Sequence, residues 1–318
     1  MTRSVHVRAP CRLHFGMLSF GHTDQPQFGG VGAMIDPPAV EVEIRSAPSL
    51  HLRGELAQRV HHFVESVAQH WRLSDLPACE ITVRSPPNHT GLGVGTQLGL
   101  AVAAGLRRFL DLLDLPSHEL AMSVGRGARS AVGAYGFQHG GLLVDAGKRA
   151  GDPLGILAHR LALPEAWRFV LVSPTNRQGL AGESEAGAFE RLPPVPPAVT
   201  QELWRLTEKE ILPAVERADC TAFGEAVYRF GRLAGECFAP VQGGPFADPL
   251  IAELVSRIRN FGVSGVGQSS WGPTVFAVVP HDAEAEKLAG SLRENSATTT
   301  HEILIAKPNN HGATITVT

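Results

Sequence analysis

Cysteine is sparse in this 318-residue chain: Cys11, Cys79, Cys220 and Cys237 are scattered, and no two stand at C-x-x-C spacing. That scatter suggests neither a zinc site nor a disulfide framework, and reduced thiols in the cytoplasm are the simpler expectation. A surplus of positive charge is also missing. The formal net charge is −3, which argues against a nucleic-acid partner held by a basic surface. Any strongly anionic ligand must then be held by local charge and backbone donors. No apolar run approaches the roughly 18–20 residues of a membrane-spanning helix, and Met1 to Pro10 lacks the apolar core of a secretory signal. A soluble, cytoplasmic protein without a membrane or nucleic-acid partner is expected. One further absence is local: no Asp or Glu lies between Glu119 and Asp145.

What remains is ordinary for a globular protein, with 43% hydrophobic and 19% charged residues. The length suits one large domain or two packed lobes. Val5-His6-Val7-Arg8 predicts a short strand ending at Pro10, and Val40 to Arg45 alternates as a clear strand. Helical spacing covers Glu55 to Arg72, with Leu56, Val60, Phe63, Val64 and Val67 on one stripe. Ile81 to Val83 predicts a strand, and a helix should follow the glycine-rich stretch to about Leu113. Ser117 is placed as the N-cap of a helix through Arg126. Strands are expected at Gly140–Asp145, Arg168–Val172, Val275–Val279, 301–306 and 313–317. Helices are expected at 200–218, 221–238, 247–260 and 282–294, with Pro193 to Pro197 as a stiff connection outside the core. This order has no regular βαβ rhythm, so α+β is expected over a doubly wound sheet. A lobe boundary falls near 160–170, dividing the chain into 1–165 and 166–318.

The most informative stretch is Pro86-Pro87-Asn88-His89-Thr90-Gly91-Leu92-Gly93-Val94-Gly95-Thr96-Gln97, which leads into a small-residue helix. Three alternating glycines let backbone close around a ligand, and the helix start aims free N–H groups at the same space. A tight strand-to-helix turn is the bland alternative. No Lys-Ser or Lys-Thr follows, so this is not a Walker loop, and Rossmann spacing is lacking. A second glycine-rich segment, Gly262 to Thr274, precedes the strand at Val275.

Together with Arg12-Leu13-His14-Phe15-Gly16, these two segments resemble the three-part pattern of the GHMP kinase superfamily over nearly the full length. The resemblance implies a two-lobed fold, with an N-terminal lobe like domain 2 of ribosomal protein S5 and a ferredoxin-like C-terminal lobe. Two departures are informative. Val94-Gly95-Thr96-Gln97 replaces the paired serines after Gly-Leu-Gly, and the acid-free segment lies where several such kinases carry a catalytic Asp. Both departures are similar to the β-ribofuranosylaminobenzene 5′-phosphate synthase branch. So are Gly91 to Gln97, Gly267 to Thr274, Gly179-Leu180-Ala181-Gly182-Glu183 and Asn310-His311-Gly312-Ala313.

That branch joins phosphoribosyl pyrophosphate (PRPP) to 4-hydroxybenzoate or 4-aminobenzoate, releasing pyrophosphate and CO2 on the way to methanopterin-type cofactors. The resemblance implies that Gly91, Leu92, Gly93, Val94, Gly95, Thr96 and Gln97 hold the pyrophosphate, with Ser269, Ser270 and Trp271 nearby. Mg2+ is expected on phosphate oxygens, with Thr96 as a candidate ligand. Arg12 and Arg129 are candidates for anionic groups, either that or surface arginines. His14 is a candidate for proton transfer, or a histidine satisfied by backbone; His139 is a second candidate. Glu183 and Glu185 could position Mg2+ or an amine, and Trp271 could stack on the arene or brace the glycine turn. A homodimer is expected from size alone. The rival functions are an ATP-dependent small-molecule kinase and a non-catalytic phosphometabolite binder.

Overall fold

The computed structural model describes residues 3–175, 179, 187–294 and 301–318, with backbone alone over 183–186. Eleven strands are described: β1 Ser4–Gly16, β2 Gly30–Ser46, β3 His51–Arg53, β4 Cys79–Arg84, β5 Leu142–Asp145, β6 Leu157–Leu161, β7 Arg168–Pro174, β8 Gly265–Gln268, β9 Val275–Val279, β10 His301–Pro308 and β11 Thr314–Val317. The helices are α1 Ala57–Trp71, α2 Val94–Phe109, α3 Ser117–Ser123, α4 Val132–His139, α5 Glu183–Arg191, α6 Pro197–Leu206, α7 Leu212–Glu216, α8 Cys220–Glu236, α9 Ala239–Gln242, α10 Pro249–Asn260 and α11 Asp282–Glu294. The fold is α+β, as expected.

Pro10 does not end the first strand. β1 runs on to Gly16, and its pairing with β2 jumps from Pro10↔Ala39 to Cys11↔Ile35. Asp36, Pro37 and Pro38 are the surplus residues of that bulge. Prolines supply no N–H to a ladder, so they collect where pairing is interrupted. β2 changes partner there: Glu41–Ser46 pair with β4, Gly30–Ala33 with β5, and Ile35–Asp36 with β10. Through β10 the first sheet joins an antiparallel second sheet in the order β10-β7-β9-β8.

β7 is buried on both faces, which explains its unbroken apolar run. Phe169 and Leu171 face the main core with Phe276, Phe223 and Phe230, whereas Val170 and Val172 face α10 and α11. α2 crosses the first sheet as the central buried helix. A side chain at Gly99 or Gly105 would press on Phe63 or Ile44, which pack closely against the bare helix at those points.

Several elements differ from the sequence reading. The segment 127–141 contains helix α4, hidden from periodicity because Gly133, Gly136 and Tyr135 interrupt its apolar stripe. Ser117 is inside α3, with Pro116 at the N-cap, and its hydroxyl bonds Gln138 instead of capping the helix. Thr207–Ile211 form a π-turn between α6 and α7, where Pro213 cannot donate the helical bond its position requires. Val195, within the proline cluster, is 2% exposed and packs with Phe20 and Trp271. Asp219 and Asp248 cap α8 and α10 through their carboxylates.

The second sheet meets α8 through a glycine pair. A Cβ on Gly224 would stand 2.6 Å from the Gly265 nitrogen. Neither backbone can yield, so Gly224→Ala should destabilise the protein by about 1–3 kcal/mol through overpacking. Urea unfolding would measure it, and an unchanged midpoint would show that α8 can lift from β8.

Candidate active site

The glycine stretch becomes a turn in which only two glycines use their conformational freedom. Gly91 and Gly93 have φ of +89° and +70°. Gly93 is the N-cap of α2 and receives no side-chain cap. Gly95 is helical, and its bare Cα serves a different purpose: a Cβ there would lie 2.2 Å from Arg59 Nη2. A guanidinium, held on one side by Asn88 Oδ1 at 3.3 Å, therefore lies against the first turn of the helix. Arg12 reaches the same turn from β1, its N–H donating to Leu92 O at 2.9 Å. Its Nε stands 3.1 Å from where a Gly93 Cβ would be.

This turn forms one wall of an open cleft of about 1450 Å3. Arg126, Gly127, Ala128, Arg129 and Ser130 form another wall, and His14, Ser270, Trp271 and Gly272 complete the lining. Arg12, Arg59, Arg126 and Arg129 all line it, and none of its described lining residues is an acid. Arg126 lies over the Phe63 ring at 5.3 Å and Arg129 over Phe189 at 5.1 Å. These ring contacts help to place the two charges. Burial lowers the Arg59 pKa from its ordinary value.

Ser269 joins the walls. Its hydroxyl donates to Gly91 O at 2.7 Å and accepts from the His14 N–H at 3.1 Å. The next residue, Ser270, has φ +56° and donates its N–H to His14 O at 3.1 Å. Gly272 touches Gly91 so closely that a Cβ would fall 2.1 Å from the Gly91 nitrogen. Gly179 docks on the same turn, its N–H donating to His89 O at 2.8 Å.

A second, smaller cavity opens beside the cleft, under α8. Phe15, Met17, Ala234, Phe238, Phe246 and Trp271 make it largely apolar, and no arginine or acid lines it. His14, Met17, Ser270 and Trp271 border both cavities. His14 is 3% exposed. Burial first, and the Arg12 charge second, hold its pKa well below the ordinary histidine value, so the ring is neutral near pH 7.

Most of the residues singled out in the sequence converge here. Arg12, His14, Arg129, Gly91 to Thr96, Ser270 and Trp271 line the cleft. Gln97 does not: it is wholly buried and donates to Gly133 O at 2.9 Å, tying α2 to α4. Ser269 is likewise wholly buried and committed to the brace just described. Trp271 is 8% exposed and packs edge-on against Phe238 at 4.8 Å and Phe189 at 5.9 Å. It braces the turn while one part of it still reaches the cavities. His139 ends α4 on another surface, beside Arg160 and His311. The Leu180 to Gly182 segment and the side chains of Glu183 and Glu185 lie outside the described residues.

The expected Mg2+ finds no protein-built site among the described residues, which contain no group of three His, Cys, Asp or Glu able to hold a metal. The side-chain oxygens lining the cleft are the hydroxyls of Thr90, Thr96, Ser130 and Ser270. These neutral hydroxyls stand beside the four guanidiniums of the described lining. Arg59, Arg126, His89 and Ser130 were missed in the sequence. Arg59 lies on the polar side of an amphipathic helix, where an arginine carries no signal of its own. No described helix is long and apolar enough to cross a membrane.

The family model for the GHMP kinases C-terminal region matches residues 211–298. Over 98% of this chain and the full length of the relative, the sequence is 30% identical to the beta-ribofuranosylphenol 5′-phosphate synthase of Archaeoglobus fulgidus. The enzyme of the same name from Methanothermobacter thermautotrophicus is 28% identical over 91% of this chain and 92% of its own. Among solved structures, homoserine kinase from Cytophaga hutchinsonii superposes with a TM-score of 0.68 at 15% identity, covering 98% of this chain and 97% of that one. Mevalonate diphosphate decarboxylase from Staphylococcus aureus also reaches 0.68 at 15% identity, over 99% and 98%. At such identities the structures establish the two-lobed GHMP kinase fold.

Two outcomes follow from the brace and the buried ring. Ser269→Ala removes two bonds at once and should cost about 2 kcal/mol of stability, together with affinity for inorganic pyrophosphate; urea unfolding and calorimetric titration would measure the two losses. Because the folded pKa of His14 is depressed, its contribution to stability is complete above the unfolded pKa of about 6.5. It is lost as pH falls from there toward the folded value. His14→Gln should therefore flatten the acid limb of the stability curve below that point. Parallel curves for the two proteins would show that His14 protonates without cost. His89 and His301, also lowered by burial, contribute to the slope that remains, together with carboxylates held down by arginines, such as Asp282 beside Arg168.

Proposed function

The chain belongs to the beta-ribofuranosylphenol 5′-phosphate synthase family, and from that premise we propose that it is a PRPP-dependent, decarboxylating ribosyltransferase. The observation that carries this reading is the meeting of an arginine-lined cleft with an apolar cavity at His14, Ser270 and Trp271. One substrate of such an enzyme is a polyphosphate, and the other is a flat ring with a carboxylate.

In this reading the pyrophosphate of PRPP lies against the Gly91–Thr96 turn, between Arg12 and Arg59. Donors at that turn act on the oxygens where negative charge grows as the ribose C1–O bond loosens. The arene occupies the apolar cavity, with its carboxylate turned out toward Arg129. The name of the relatives specifies a phenol, which favours 4-hydroxybenzoate over the amine. A ring electron pair on the carboxylate-bearing carbon forms the bond to ribose C1, while the C1–O pair leaves with pyrophosphate. The pair of the bond to the carboxylate then returns to the ring as CO2 departs, and aromaticity is restored. His14, neutral and at the border of both cavities, accepts the phenolic proton or shares it during attack. Methanopterin-type cofactor biosynthesis would consume the product. With no acid among the described cleft residues, an aspartate-base kinase is the weaker reading.

Purified protein given PRPP and carboxyl-labelled 4-hydroxybenzoate should release labelled CO2 and pyrophosphate in equal amounts. ADP formation from ATP and a small alcohol, without CO2, would overturn the reading. Binding of PRPP without turnover would overturn it too, in favour of a phosphometabolite binder. The place of the arene is tested separately. Gly231, on α8, borders the apolar cavity, and an added Cβ would meet only Phe15 O, at 3.2 Å. Gly231→Leu should raise KM for 4-hydroxybenzoate by roughly tenfold or more, with KM for PRPP unchanged. Equal changes in both constants would move the arene elsewhere.

A further inference from the structure

The four arginines of the cleft have different supports. Arg12 and Arg59 lie against the bare backbone of the glycine turn, at Gly93 and Gly95. Arg126 lies over Phe63, one helical turn along α1 from Arg59. Arg129 belongs to the loop between α3 and α4, just after Gly125 and Gly127, whose φ values are +62° and +84°. Its guanidinium lies over a ring from the second half of the chain, Phe189 of α5, at 5.1 Å.

Phe189 lines neither cavity, yet it touches residues that line both. Its ring stands 5.8 Å from Phe238 at an interplanar angle of 84°, and 5.9 Å from Trp271 at 74°. Phe238 lines the apolar cavity, and Trp271 borders both that cavity and the cleft. Phe20 at 5.6 Å and 87°, and Phe28 at 6.1 Å and 85°, add two further near-perpendicular contacts. Beside Phe189 on the same helix, Ala188 and Leu192 are buried in this cluster. Perpendicular ring pairs are an attractive geometry, and four of them on one phenylalanine leave it little freedom to turn.

The contacts therefore run from a guanidinium at the cleft, through Phe189, to two rings of the apolar wall. A phenylalanine face attracts a guanidinium through its quadrupole. The rings that hold that face in place are the ones that shape the apolar cavity, so the charge is set at a defined position relative to the cavity. A rigid aromatic acid needs this relation, because its carboxylate stands at a fixed distance from its ring.

We propose that Phe189 is a positioning residue that sets the Arg129 guanidinium for the carboxylate of the arene, so that the apolar cavity prefers aromatic acids to neutral rings of the same shape. Phe189 itself touches no substrate. The proposal rests on the placement of the arene in the ribosyltransferase reading.

Calorimetric titration with two probes of like shape and different charge, 4-hydroxybenzoate and 4-hydroxybenzamide, tests it. Saturating inorganic pyrophosphate is present, so that no turnover occurs. Wild-type protein should bind the benzoate more tightly. Phe189→Leu should weaken the benzoate roughly tenfold and leave the benzamide within about twofold, with affinity for pyrophosphate unchanged. Phe189→Tyr, which keeps the aromatic face, should retain the wild-type preference. In an Arg129→Gln background Phe189→Leu should cost the benzoate less than about twofold, because the two residues act as a unit. Should leucine unfold α5, Phe189→Met makes the same comparison. Equal losses for the two probes, or an undiminished loss in the Arg129→Gln background, would overturn the proposal and leave Phe189 as packing. Unchanged benzoate affinity in Phe189→Leu would overturn it too, with the arene site intact. Wild-type protein that binds neither probe would reject the placement of the arene, and the proposal with it.

Discussion

The hydroxyl of Ser269 is the point on which the site depends. It is wholly buried and bonded to two backbones at once, the carbonyl of Gly91 in the glycine turn and the N–H of His14 on β1. Those segments lie 178 and 255 residues from it in sequence. Three distant segments that meet at the cleft are thus held together by a single atom. A hydroxyl suits the task because it can donate and accept together. The glycines at 91, 179 and 272 then follow from geometry. Backbones held together by one hydroxyl approach too closely for side chains between them.

Charge in the cleft is handled as tightly as shape. A chain with net charge −3 collects Arg12, Arg59, Arg126 and Arg129 around one space and keeps described acids out of it. Two of these guanidiniums lie on phenylalanine rings, and one lies against the bare Cα of Gly95. Packing against rings and bare backbone thus helps to direct these three guanidiniums. Fixed positive charge of this kind supports bond cleavage in which the phosphate departs. It offers nothing to remove a proton from an alcohol, which is the task of an aspartate base in a kinase.

How far the sequence shows this depends on whether the signal is local. The glycine turn, the strands β7 and β9 and helix α11 are legible because period, apolar runs and turn residues act within a few positions. Gly95 was legible as a glycine, but its reason was not: it makes room for an arginine 36 residues earlier. Gln97 reads as part of the phosphate turn by adjacency, yet one more residue of helix rotates it into the core toward Gly133. Helix α4 and the extension of β1 past Pro10 were hidden because tertiary packing overrides weak local preference there. Arg59 and Arg126 become significant only when α1 and the loop before α4 face each other.

Asp145 shows the same limit from the other side. Its identity as the first acid after a long gap is plain in the sequence, but its task is not. The fold buries it completely, its oxygens accepting from the Ala131 and Gly147 N–H groups, so that it holds the start of α4 to the turn after β5. None of the described cleft residues is an acid; this carboxylate serves the fold from inside and leaves the arginines of the lining to face the open space.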